Sequence, residues 1–382
     1  MMQKKLMVLA GFFLVGFSLM KTATAQSSSP NIVTTAVPFL RISPDARSGG
    51  MGDAGITLSP DANATFWDLG KVAFAESPDA IGVTYTPWLA DIAQDVYMIS
   101  LAGYHKIDED QGFAASIRYF NLGSIQFVDP LGNPLGTGRP KEFGIDIGYS
   151  RKISSSLGLG VALRYINSDL ASGAVINGVT YKAGSAVATD LSLYGDNRQD
   201  GAGLTYGVAL SNLGSKIGYT DNADSKDYIP ANLGAGIGYT WVFQEENKFT
   251  LALDANKLLV PEAPDFLDYN GDTTKFEQDL DDYHSQSVFS SWFKAFGNSS
   301  YSLSVGAEYT YNDQFSLRTG YYWETQQMGN RNYFTAGVGL KYNMFGFNFS
   351  YLAPSGNGVT RNPLSNTLRF GVVFDLGAAA QQ

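Results

Sequence analysis

The chain contains no cysteine. That excludes disulfides, thiolate metal sites, a cysteine nucleophile and a lipid-anchored cysteine. Charge is also scarce: 16% of residues are Asp, Glu, Lys or Arg, against about 25% in an ordinary soluble domain. There are two histidines, His105 and His284. Neither sits beside a nucleophile or a metal-ligand cluster, and no G-x-S-x-G occurs. No enzyme, no metal and no cofactor is therefore expected. Base is outnumbered by acid, giving a net charge of -10 and a pI of about 4.7. Such a surface repels phosphate backbones, so nucleic acid is not an expected partner. Beyond the first twenty-odd residues no apolar run reaches the about 20 residues that a membrane-spanning helix needs.

What is abundant is glycine (42), phenylalanine (24) and tyrosine (22), at a mean hydropathy of -0.09. Apolar side chains alternating with small polar ones produce such an average. From about residue 79 that alternation is explicit. Leu157, Leu159, Val161, Leu163 and Tyr165 interleave with Gly158, Gly160, Ala162 and Arg164. Leu303, Val305, Ala307 and Tyr309 interleave with Ser304, Gly306 and Glu308. Period two places the two sets on opposite faces of a strand. Fourteen such segments are predicted, centred on Val83, Leu101, Ser116, Ile145, Val161, Leu191, Val208, Ile237, Leu251, Val305, Leu317, Val338, Phe347 and Val372.

The connections alternate as well. Short turns fall near 108–110, 154–155, 197–198, 245–246, 312–313 and 343–344. Long links fall at 122–139, 169–183, 214–229, 259–298 and 354–365, with a modest link after the first strand and a short one near Gln326. Short periplasmic turns and longer outer loops are the parity of a membrane barrel. Tyr149, Tyr165, Tyr239, Trp241, Tyr321, Trp323 and Tyr351 cluster at strand ends, as interfacial girdles do. The fold class is all-β: a transmembrane antiparallel barrel of about 14 strands over residues 79–377, with an outer loop at 259–298. Its apolar face meets lipid. Its other face carries Arg118, Asp146, Arg164, Asp190, Asp254, Glu308, Arg318, Lys341 and Arg369, which are expected to pair across the lumen.

Two N-terminal segments depart from this pattern. Lys4 and Lys5, the apolar stretch Leu6 to Met20 and Ala23-Thr24-Ala25 read as a signal peptide, residues 1–25, cleaved after Ala25. Residues 26–78 are rich in Gly, Pro, Asp and Ala without alternation, and are expected to fill the barrel as a plug.

Within the outer loop, Val288, Phe289, Trp292, Phe293 and Phe296 recur at helical spacing. Ser285 or Ser287 can cap the start, and Gly297 the end. An aromatic face of this size in an outer loop is a candidate partner-binding surface. Two motif-like stretches carry less. Gly234-Ala235-Gly236-Ile237-Gly238 lacks the helix a dinucleotide loop requires, and reads as one small-residue strand face. Asp268 to Asp272 places its glycine at the wrong position for a calcium loop, and reads as a solvated acidic turn.

Residues Ala36 to Gly55 closely resemble the opening of the PorV (LptO) family. The residues that carry the match are Pro38, Phe39, Leu40, Arg41, Pro44, Asp45, Ala46, Arg47, Gly50, Met51, Gly52, Asp53 and Ala54. Ser59-Pro60-Asp61-Ala62-Asn63-Ala64 continues it. Where that family has Trp-Asn-Pro-Ala-Lys, this chain has Trp67-Asp68-Leu69-Gly70-Lys71, a departure in the plug turn. The resemblance implies a FadL-like barrel in the outer membrane of a Gram-negative bacterium, serving type IX protein secretion. Its implied partners are a large translocon barrel, secreted cargo bearing a C-terminal signal domain, a surface sortase, and outer-membrane lipid or lipopolysaccharide. The competing expectation is a FadL-like transporter of hydrophobic small molecules.

Overall fold

The computed structural model describes residues 31–88, 93–128, 132, 134–176, 178–222, 225–354 and 366–377. The expected signal peptide, the start at Gln26, residues 355–365 of the last long link and the tail from Ala378 lie outside them. Fourteen strands form one closed barrel. They are β1 (Asp79–Pro87), β2 (Val96–Lys106), β3 (Gln111–Leu122), β4 (Lys141–Ser154), β5 (Leu157–Asp169), β6 (Gly184–Asp196) and β7 (Gly203–Gly214). The circle continues with β8 (Asn232–Phe243), β9 (Asn247–Leu258), β10 (Tyr301–Tyr311), β11 (Phe315–Glu324), β12 (Asn332–Tyr342), β13 (Phe345–Pro354) and β14 (Leu368–Asp375). Each strand pairs antiparallel with its sequence neighbours, and β1 closes the circle on β14 with Tyr85 opposite Phe370. Every predicted segment centre falls within one strand. Closure leaves no unpaired edge, which a sheet surrounded by hydrocarbon requires.

Burial alternates along each strand as the sequence does. In β5 the pattern is outward Leu159, Val161 and Leu163 against inward Gly160, Ala162 and Arg164. Outward rings form bands at two levels. Near the long-link rim Tyr85, Tyr97 and Tyr119 lie side by side, followed by Phe143 with Tyr165. Near the short-turn rim lie Phe113 with Tyr149, Trp241 with Phe249, and Phe345 with Phe374. Two aromatic girdles flanking an apolar band are what a bilayer selects. Among the described residues no helix is long and apolar enough to cross a membrane.

The N-terminal plug segment runs through the lumen. At the long-link rim Val33 N donates to Gln327 O (2.8 Å) and Ala36 N to Tyr228 O (3.0 Å). At the short-turn rim Ala73 N donates to Ser150 Oγ (3.2 Å), and Lys106 Nζ reaches Ala75 O (2.8 Å). The chain then enters β1. Phe39 and Leu40 sit in an apolar cluster with Trp88, Met98, Phe120 and Ile166. Leu69, Val72 and Ala75 form a second cluster with Tyr104, Ala114 and Ala162. Much of the apolar burial inside the barrel thus comes from plug against wall, while Tyr322, Tyr333 and Leu352 form a cluster of wall residues alone.

The long link after β9 differs from expectation. It holds two helices beyond the one-turn α1 (Ala46–Gly49) of the plug: α2 (Thr273–Ser285) and α3 (Val288–Lys294). Helix α2 escaped sequence reading because its residues TTKFEQDLDDYHS are mostly polar and none is buried. Asp272 caps it, accepting from Lys275 N at 3.0 Å. That gives the acidic turn a structural role. Helix α3 is shorter than its apolar spacing suggested. Ser287 caps it, accepting from Ser290 N, and a 3-10 turn Ala295–Gly297 follows.

Candidate functional site: the plugged lumen and the aromatic outer rim

The plug is fixed by a chain of polar contacts built on its signature residues. Pro38 opens a 3-10 turn, Pro38–Arg41, where its fixed φ suits the first position. Asp45 caps α1, accepting from Ser48 N at 2.8 Å, and also accepts from Trp67 Nε1 at 2.7 Å. One carboxylate therefore joins two parts of the plug. Arg47 leaves α1 toward β10. Its NH2 donates to Glu308 at 2.9 Å, and its NH1 reaches Asp61 at 3.2 Å. Glu308 in turn accepts from Arg318 Nε on β11 at 2.5 Å. Asp53 accepts from Tyr333 OH at 2.6 Å. Asp254 on β9 accepts from two plug amides, Gly55 N at 2.7 Å and Ile56 N at 2.9 Å.

These contacts revise the expected pairing of lumen charges. Arg164 pairs with Asp146 on β4 and Asp190 on β6, its two neighbouring strands. Glu308 pairs with β11 and the plug, and Arg369 with Asp53 of the plug at 3.7 Å. The plug occupies the middle of the lumen, so opposite walls never meet. Lys341 is not in the lumen: it is exposed and pairs with Asp375.

Close approach is possible because the facing wall positions lack side chains. A Cβ on Gly320 would lie 2.2 Å from Gly52 N, and one on Gly306 would lie 2.4 Å from Met51 O. Gly52 has φ +69 and rests on the backbone of Tyr321, so it needs both its freedom and its smallness. The face Gly234, Gly236 and Gly238 receives Ile56 and Thr57, and Gly158 and Gly160 receive Gly70. The small-residue strand face read from sequence is therefore a seat for the plug. Gly320→Val keeps a good strand former in β11. It should unseat the plug, seen as new trypsin cleavage at Arg47 in folded barrels. Wild-type resistance in the variant would mean the plug is not held there.

The departing turn, Trp67 to Lys71, is internally compensated. Asp68 accepts from Gly70 N at 2.9 Å, and Lys71 Nζ donates to Gly55 O at 2.5 Å. Burial pushes the Asp68 carboxyl up to about 7 and pulls the Lys71 ammonium down.

The outer rim carries the other candidate surface. Phe289 (67% exposed), Phe293 (63%) and Phe296 (53%) face outward. Phe289 stands edge-on to Phe293, with ring centroids 5.2 Å apart. Val288 does not join them. It packs inward on a cluster of Val33, Tyr228, Leu258, Val260 and Met328, and Trp292 is half-buried. The helix is thus anchored by one side and displays the other. Lys216 Nζ holds its base through His284 O (2.6 Å) and Gln286 O (2.9 Å). Beside it runs a groove of about 800 Å³ lined by Glu262, Asp265, Asp268, Asp272, Asp279 and Asp282.

The family model for type IX secretion system protein PorV matches residues 24–265. That is well over half of the chain. The chain belongs to the PorV family. A comparison with curated proteins finds no match. Among solved structures the chain is similar to the Pseudomonas putida toluene transporter TodX, with 13% identity and TM-score 0.51, covering 86% of this chain and 96% of that one. It is also similar to the Ralstonia pickettii toluene transporter TbuX, with 11% identity and TM-score 0.50, again covering 86% and 96%. A Pseudomonas aeruginosa FadL homologue aligns at 12% identity and TM-score 0.48, over 91% and 99%. At such identities the likeness concerns the fold alone, a closed antiparallel β-barrel.

In this PorV family member the signature stretch Pro38 to Ala54 is where plug and wall interlock. Sequence reading located it and placed Glu308 and Asp254 on the lumen face, but missed that Glu308, Thr335 and Tyr333 receive it and that Asp254 receives Gly55 and Ile56 just beyond it. Thr335 Oγ1 both accepts from Gly52 N (2.8 Å) and donates to Gly50 O (3.0 Å). No local signal marks a strand threonine as a plug anchor.

Proposed function

We propose that this protein is the outer-membrane component of the type IX system that receives secreted proteins by their C-terminal signal domain. It takes them at the large translocon barrel and delivers them to the surface sortase and attachment complex. On this reading residues 1–25 are a signal peptide cleaved after Ala25, residues 26–78 serve as the plug, and the protein is not an enzyme. Membership of the PorV family supports the role. One structural observation supports the mode of binding: an anchored helix and the 3-10 turn after it display three large aromatic side chains above a lumen occupied by the protein's own plug. A filled lumen favours handling cargo at the rim. Phe289, Phe293 and Phe296, with Val288 and Trp292 as their support, are the proposed docking surface. Exposed aromatic clusters of this kind carry binding energy when a partner covers them. The adjoining acidic groove favours a partner with basic residues next to its apolar contact.

A second reading, transport of a hydrophobic small molecule, draws on the fold shared with the toluene transporters. The two are separated by tagging the mature protein, solubilising outer membranes gently and identifying what co-purifies by mass spectrometry. Recovery of a large translocon barrel, a sortase or secreted proteins sharing a C-terminal domain is the expected result. A protein that emerges alone, carrying only lipid or fatty acid, would sink the secretion role and favour transport.

A further inference from the structure

The leading strap of the plug, residues 31–37, stands at the long-link rim, beside the helices that carry the exposed aromatic rings. Asn31 Nδ2 donates to Ala263 O of the long link at 2.7 Å. Val33, 1% exposed, enters the cluster of Tyr228, Leu258, Val260 and Met328. Tyr283 of α2 and Val288 of α3 pack on that same cluster. Plug and outer helices therefore bury apolar surface against the same residues.

Two link residues hold both partners at once. Tyr228 O accepts from Ala36 N of the strap at 3.0 Å. The Tyr228 ring stands edge-on to Tyr283, with centroids 5.3 Å apart. Its hydroxyl is directed to Tyr283 O and to Gln286 O at the junction of α2 and α3, each at 3.2 Å. Gln327 O accepts from Val33 N of the strap at 2.8 Å. The Gln327 side chain bridges the two ends of the long link. Its Nε2 donates to Glu262 Oε2 at 3.1 Å, and its Oε1 accepts from Ser299 N at 2.5 Å.

The strap ends in a strained residue. Val37 has φ 48 and ψ 51 and is 1% exposed. A β-branched residue in that region persists only where its surroundings over-determine it. On one side are the strap's bonds to Tyr228 and Gln327. On the other is the apolar cluster that Val37 shares with Phe39, Leu40 and Trp88. Once the strap is released, Val37 is free to return to extended backbone. The strap thus has two arrangements, seated and released. An element with two arrangements that two sites both bias is the physical basis of coupling between them.

We propose that the strap couples the plug to the outer docking surface, through Tyr228 and Gln327. A partner covering Phe289, Phe293 and Phe296 meets α3 in its anchored pose, and so favours the seated strap. By reciprocity a released strap weakens docking. The barrel then binds its partner best when its plug is seated. The docking half of this inference rests on the secretion role proposed above; the coupling half concerns the protein alone.

The test is peptide-resolved hydrogen exchange on the full mature protein in detergent, read on heat-modifiable barrels. Tyr228→Phe/Gln327→Ala keeps both backbone acceptors of the strap. Exchange across residues 31–37 should still quicken about tenfold, the effect of losing several hydrogen bonds. Gln327→Ala alone carries the test if the double variant does not form a barrel. In the other direction, Val33→Ala should quicken exchange across α2 and α3 by a similar factor, although neither helix is altered. Unchanged exchange in either direction would overturn the coupling. Val33 is too buried to touch a partner, so Val33→Ala should lower partner recovery through the strap. Recovery equal to wild type would overturn the docking half. A wild type that recovers no partner would count against the secretion role, and the exchange rates would still decide the coupling.

Discussion

Glu308→Ala opens the barrel. Glu308 is the one carboxylate shared by Arg47 of the plug and Arg318 of β11, and the side chains of all three are nearly buried. Removing it leaves two guanidiniums facing each other without the carboxylate between them. Breaking a buried pair in this way costs about 3–5 kcal/mol. Arg47 keeps a partial hold through Ser59 and Asp61, but both lie on the plug itself. Those bonds keep the plug folded and do not tie it to the wall. The displaced state should therefore gain about 10²- to 10⁴-fold in population. Planar-bilayer recordings should show frequent ion-conducting events where the wild type is closed, and trypsin should reach Arg47. Glu308→Gln keeps a hydrogen-bond acceptor and should fall between the two. A variant as silent and as resistant as the wild type would show that the lock is not electrostatic.

Phe289→Ser/Phe293→Ser/Phe296→Ser abolishes partner recovery while leaving the barrel intact. These rings are more than half exposed in the free protein, so replacing them removes little internal packing. Burying a phenylalanine against a partner contributes about 1.5–3 kcal/mol. Loss of three should exceed a hundredfold in affinity, enough to empty a co-purification. The matching control is Val288→Ser. It strikes the inward cluster of Val33, Tyr228, Leu258, Val260 and Met328, so it should loosen the long link and raise its protease sensitivity. If the triple variant recovers its partners undiminished, docking lies elsewhere on the rim.

Much of the architecture was readable along the chain, because a barrel strand writes its two environments into alternate residues. Lipid demands apolar side chains on one face, and the packed lumen accepts small or polar ones on the other. That contrast repeats every two residues, so fourteen segments, their turns and their aromatic ends could be located without tertiary knowledge. The plug signature was equally local, since the Asp45 cap, the Pro38 turn and the Gly52 conformation are each built within a few residues.

What the sequence could not reveal lies between residues far apart in it. Arg47 meets Glu308 across 261 positions, and Gly55 meets Asp254 across 199. Nothing near either residue encodes its partner. The lumen charges had been expected to pair with one another, but the plug stands between the walls and takes several of them. Helix α2 was invisible because none of its residues is fully buried and few are apolar, and burial is what creates a helical apolar period. The spacing of Val288 to Phe296 announced a helix, but not that Val288 would turn in and Phe289, Phe293 and Phe296 out. Sequence by itself determined the barrel, because alternation is a property of consecutive residues. Only the tertiary structure decided which buried charges pair and with what, because pairing depends on where separate segments come to rest.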